Sequence, residues 1–138
     1  MPSLKRLLAV FLPLLLPAVL AAQDLKPLTF EEYGPWNRIN QVVLSPDGGW
    51  LAYAQEPNDG DAAFFVRATA GERVFEAVNG ADAAFSKDGR WVAFLTSPTE
   101  DEAEKLRKER KPVPRALHLV ELATGQADTV PGVRAFAF

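Results

Sequence analysis

The chain has 138 residues, 48% of them apolar, and carries a formal net charge of -3. That length and composition suit one modest globular unit and exclude wholesale disorder. There is no cysteine, which excludes a disulfide framework and any thiolate metal site. The acidic balance excludes the basic face that nucleic-acid binding needs.

Lys5 and Arg6 form a short positive n-region, and Leu7 to Ala22 is an uncharged run of 16 residues. Small residues close it (Val19, Ala21, Ala22), with cleavage expected after Ala21 or Ala22. A spanning helix wants roughly 20 apolar residues; this run is shorter, and Pro13 and Pro17 interrupt it. Residues 1–22 therefore read as a secretory signal, and the mature chain, without Lys5 and Arg6, stands at -5. The expected location is periplasmic or extracellular, with no membrane attachment after cleavage. Residues 23–40 form a lead-in. In it, Thr29 and Glu32 fit a capping box before the stop at Gly34-Pro35, so one helical turn is expected.

One pattern then occurs twice. Ser45-Pro46-Asp47-Gly48-Gly49-Trp50-Leu51-Ala52-Tyr53 is matched 41 residues later by Ser86-Lys87-Asp88-Gly89-Arg90-Trp91-Val92-Ala93-Phe94. Self-similarity at a period of about 40 is the mark of a propeller blade or other array. Each copy reads as a tight hairpin. Pro46 presets φ at the first turn position, Asp47 suits the second, and Gly48 supplies the left-handed residue of a type I turn plus bulge. Asp88 and Gly89 keep the latter two places. Short apolar runs flank each turn: Val42 to Leu44 and Leu51 to Ala54 in the first copy, Ala81 to Phe85 and Trp91 onward in the second. Third and fourth strands follow at Ala62 to Ala68 and Arg73 to Val78, then at Ala116 to Leu122 and Gln126 to Val130. The turns between them fall at Gly71-Glu72 and Thr124-Gly125.

The expected fold is all-β: antiparallel four-stranded propeller blades over 41–80 and 81–132. Val133 to Phe138 resembles Ala81 to Phe85 and reads as the start of a third blade. Ending there on an apolar strand, with two blades leaving faces uncovered, the chain reads as a piece that hydrolyses nothing alone. Trp50 and Trp91 are expected to pack between blades. Residues 98–115 interrupt the second unit. Thr99 and Glu102 offer a capping box, acids come first and bases last, and Asp101/Lys105 and Glu104/Lys108 are spaced for ion pairs. A charged, solvent-exposed helix over Thr99 to Lys111 is expected, ended by Pro112 and Pro114.

No motif carries catalysis. There is no G-x-S-x-G elbow; Ser45 and Ser86 sit in turns, Ser97 precedes a proline, and Asp47 and Asp88 are explained by turn chemistry. His118 shares a strand face with Val120 and Leu122 and reads as structural. Asn79-Gly80 and Asn58-Asp59-Gly60-Asp61 read as isolated turns, the latter without the register or closing Glu of a calcium loop. No catalytic, cofactor-binding or metal-binding residue is assigned.

The S-x-D-G-x-W-[LV]-A-[YF] hairpins resemble the PD40 repeats of TolB-like and prolyl-oligopeptidase-type propellers. Three further stretches narrow the likeness: Leu28-Thr29-Phe30-Glu31-Glu32-Tyr33-Gly34, the charged insertion ending Lys111-Pro112-Val113, and Leu117 to Gly125 (LHLVELATG). Together they are similar to the start of secreted bacterial S9-family serine peptidases, over Leu28 to Phe138. In that family the propeller covers an α/β-hydrolase domain with a Ser-Asp-His triad. The resemblance implies peptide substrates handled by a hydrolase domain beyond Phe138, and no triad residue falls within this chain. The alternative is a non-catalytic TolB-like propeller that binds protein partners in the periplasm.

Overall fold

A computed structural model describes residues 36–138. The expected signal segment, most of the lead-in and its expected helical turn lie outside the described residues. Eight strands and one helix follow in order: β1 (Asn37–Leu44), β2 (Trp50–Pro57), β3 (Ala63–Ala68), β4 (Val74–Val78), β5 (Gly80–Phe85), β6 (Trp91–Thr96), α1 (Glu100–Lys108), β7 (Ala116–Glu121) and β8 (Ala127–Pro131). They form two antiparallel four-stranded meanders, β1-β2-β3-β4 and β5-β6-β7-β8, and neither sheet closes on itself.

The repeat is a repeat of backbone. In each first turn the third turn residue donates back to the serine carbonyl, Gly48 to Ser45 at 2.9 Å and Gly89 to Ser86 at 3.0 Å. Gly48 and Gly89 take φ of 71° and 67°, the left-handed region where glycine is least strained. Each serine hydroxyl donates to its aspartate, Ser45 to Asp47 at 2.5 Å and Ser86 to Asp88 at 2.6 Å. Each also accepts from the tryptophan amide, at 2.9 Å from Trp50 and 3.0 Å from Trp91. A second device recurs at the same period, and sequence reading did not find it. Both first strands carry a bulge, with Gln41 and Asp82 at φ 54° and 55°. The Gln41 side-chain carbonyl accepts from the Asp82 amide at 2.9 Å, so one bulge seats the next.

The sheets pack face to back. Alternation along β2 and β3 puts Ala52, Ala54, Phe64 and Val66 on one face of the first sheet. That face meets Val92, Phe94, Val120 and Leu122 of the second sheet in one buried cluster, with the Phe64 and Phe94 rings 4.8 Å apart. Gly80 has no side chain because a Cβ there would overlap the Phe64 ring. The face used differs between sheets. Trp50 shares the buried face of the first sheet, packs on the core and stacks on Phe75 of its own sheet at 5.5 Å. Trp91 alternates with Val92 and Phe94, so it lies on the side of the second sheet turned away from the first. Among the described residues, the expected packing between sheets is seen at Trp50.

The charged insertion forms α1, with Thr99 as N-cap and the reciprocal Glu102 contact in place. It stops at Lys108, earlier than expected and ahead of the prolines. Arg110 takes φ 56° and Lys111 donates to Leu106 at 2.8 Å, a left-handed cap that ends the helix. Of the two expected ion pairs, Glu104–Lys108 forms, at 2.9 Å; Asp101 and Lys105 make none. Ala103 is its one buried residue. Val133 to Phe138 forms no strand. A strand's backbone groups need a ladder partner, and none of the described residues pairs with that segment. No helix among the described residues is long and apolar enough to cross a membrane.

Candidate functional site

β5 lies against β1, β2 and β3, whereas β4 stands off the second sheet. The two sheets therefore open towards β4 into a cleft of about 610 Å³. Its walls are β4 on one side and Phe94, Thr96, His118, Val120 and Ala127 on the other. Hydrogen bonds between the sheets close both ends. At one, the Arg73 guanidinium donates to the carbonyls of Leu122 (3.0 Å) and Ala123 (2.7 Å). At the other stands Asn79, in the left-handed region at φ 50°. Its side-chain carbonyl accepts from the Ala62 amide at 2.9 Å, and its NH₂ donates to Asp61 at 2.7 Å and to the Pro98 carbonyl at 3.0 Å. Asp61 also accepts from the Glu100 amide at 2.8 Å, in the first turn of α1.

Asn79-Gly80 and Asn58 to Asp61 are therefore not isolated turns. They are one junction joining both sheets and the helix. The Asn-Gly pair signalled a turn; its partners are 17 to 19 residues away in sequence, beyond what local pattern can show.

His118 sits in the cleft wall, stacked on Phe94 with ring centres 5.2 Å apart. Its Nε2 lies 2.9 Å from the Thr96 hydroxyl and its Nδ1 lies 3.1 Å from that of Thr129. Partial burial pushes its pKa below the usual histidine value. Both ring nitrogens are occupied by hydroxyls, so the imidazole neither holds a carboxylate nor faces a serine. The serine-aspartate pairs in the turns lie elsewhere. There the Ser45 hydroxyl and then the Gly49 amide hold the Asp47 carboxyl below the carboxylate range; Ser86 and then the Arg90 amide do the same for Asp88. In each pair the serine hydroxyl donates a hydrogen bond to the carboxylate and accepts one from the tryptophan amide. That is a fold-holding arrangement, not an activated nucleophile.

Among the described residues no three His, Asp or Glu side chains converge on a metal position. What the cleft can do chemically is bind: an open apolar slot with hydroxyl, imidazole and carboxylate groups on its rim. The fold and this slot define a class no finer than an all-β protein of two stacked antiparallel meanders. No family model, curated protein or solved structure matches the chain.

Proposed function

We propose that residues 41–132 are two blades of a β-propeller belonging to an exported serine peptidase of the prolyl oligopeptidase type. The blades gate or bind peptide substrates for a hydrolase domain that lies outside these 138 residues. The observation that carries the reading is the face-to-back stacking of two meanders at a 41-residue period. Identical packing of face on face would end with two sheets. Front on back leaves the same front and the same back free, so the operation can be repeated, and repeated with a wedge opening on one side it makes a fan. The sheets' closeness at β1 and β5 and their divergence at β4 give that wedge.

Export rests on residues 1–22, and the peptidase on the ordered resemblance over Leu28 to Phe138. The second reading, a non-catalytic propeller that binds periplasmic proteins, draws on the same stacking and on the absence of an activated nucleophile among the described residues. An antibody against residues 36–138 separates the two. The protein it recovers from producing cells should be labelled by a fluorophosphonate probe for active-site serines, and its N-terminus should read from Ala22 or Gln23. Recovery of an unlabelled polypeptide would decide for the binding protein, and an N-terminus at Met1 would end the export reading.

A further inference from the structure

The two outer strands, β4 and β8, have no ladder partner on their outer side among the described residues, but the two edges are not alike. Ladder alternation fixes which backbone groups face outward. In the first sheet Ala68 donates to Arg73 at 3.0 Å and Asn79 donates to Ala62 at 2.8 Å. Inward-bonded positions therefore fall at Phe75 and Ala77, and the amides and carbonyls of Val74, Glu76 and Val78 point away from β3. In the second sheet Glu121 donates to Gln126 at 2.8 Å and Gly132 donates to Arg115 at 2.8 Å, which turns Ala127, Thr129 and Pro131 outward. Pro131 has no N–H, so that edge is blunted in the way edges usually are. The β4 edge has no proline and keeps all three outward donors.

Both flanks of β4 are also hollow. The 610 Å³ cleft lies on its inner side. On its other side a depression of about 260 Å³ is floored by Ala63 and Phe65 and bordered by Glu76 and Val78. Side chains of an added strand would alternate into these two spaces, the arrangement by which strand addition gains specificity. Glu76 stands exposed at the middle of the edge, and no Lys or Arg among the described residues pairs with it.

We propose that the β4 edge is a strand-addition site for an extended peptide with a basic residue opposite Glu76 and small apolar residues on either side. The basic side chain meets Glu76 across the new pair. Its immediate neighbours turn into the cleft beside Phe75 and Ala77, opposite Phe94 and Val120. The next residues out lie against Val74 and Val78, both exposed apolar side chains. The site uses only the outer strand and its flanks, so it stands independently of the propeller reading.

The test is an NMR titration of the isotope-labelled 138-residue chain with the blocked peptide Thr-Val-Ala-Lys-Ala-Val-Thr. The amides of Val74, Glu76 and Val78 should shift and gain protection from exchange. Exchanging the central Lys for Glu should weaken binding roughly fivefold or more, the size expected when a cross-strand attraction becomes a repulsion. E76K, a surface change, should reverse that preference. V78P removes one outward donor without touching a β3 bond, and should abolish binding while leaving the signals of the second sheet in place. Equal affinity for the Lys and Glu peptides, binding that survives backbone N-methylation, or shifts confined to other strands would overturn the proposal. So would protection of the three amides that grows with protein concentration alone, since a second copy would then be the occupant.

Discussion

Asn79 shows how much one side chain can hold when its backbone is also unusual. Its amide group makes three hydrogen bonds to the β2–β3 loop and the segment before α1, from a left-handed conformation that asparagine tolerates better than most residues. Asn79→Ala loses all three and adds strain, and about 2–3 kcal/mol of destabilisation is expected in urea unfolding. Asn79→Gly relieves the strain and should cost less. The turn glycines differ in the same terms. A Cβ would crowd Asp47 about equally at the two positions, at 3.3 Å from Gly89 and 3.2 Å from Gly49, but Gly89→Val also forces a β-branched residue to φ 67°, whereas Gly49 has no positive φ. Thermal unfolding should therefore show the larger loss for Gly89→Val, and equal losses would contradict the turn assignment. His118 gives a pH dependence. Its pKa is lowered by burial, so the unfolded chain binds the proton more readily. Stability is full above about pH 6.5 and falls as pH drops through the folded value. Melting temperatures across pH 5 to 8 should slope for the natural chain and flatten for His118→Gln. Asp47 and Asp88 lose their contribution in the same direction but only below about pH 4, a separate window.

At the scale of elements, the strands were legible because alternating apolar residues between glycine-bearing turns leave few other solutions. α1 was legible from its capping box and charge order. Its end was not, because Arg110 carries no sequence mark of a left-handed cap; glycine is the usual one. The helix contributes little apolar surface, since Ala103 is its one buried residue. Replacing residues 98–115 by a short turn should leave the β signal in circular dichroism intact, with a modest loss of stability from the severed Asp61–Glu100 and Asn79–Pro98 bonds. Collapse of the sheet signal would show that the insertion belongs to the core. The bulges at Gln41 and Asp82 were missed for a different reason. The two residues differ in type, so the match between them is one of position and conformation, not of side chain.

For the molecule as a whole, the contact between sheets is the decisive feature, and it is narrow. Phe64 is 1% exposed and Phe94 4%, and their rings form the centre of a cluster drawn equally from both sheets. Phe64→Ala should cost about 3–5 kcal/mol, and also uncouple the sheets, visible as exchange of β5 and β6 amides well before those of β2. The same comparison explains the exposed apolar face of the first sheet. Val92 and Phe94 are buried against the first sheet, while Leu51 and Tyr53, 41 positions before them, are only half-buried, and Leu44, paired with Leu51, is 57% exposed. Residues 41 positions apart thus have like character and unlike burial, because one sheet's back is covered and the other's is not among the described residues.

The sequence by itself determined what depends on neighbours a few residues away: two tight hairpins, eight strands in two meanders, and a capped, charged helix. Those follow from turn chemistry, alternation and capping, all of which are local. Tertiary structure alone decided which face of each sheet is buried, and hence that Trp50 and Trp91 have different surroundings despite equivalent positions. It also decided that Asn79, Asp61 and Arg73 close the cleft, and that β4 keeps the open edge while Pro131 blunts β8. Strands apolar on both faces do not encode in their own pattern which face meets a partner; only the packing of one sheet on the next breaks that symmetry.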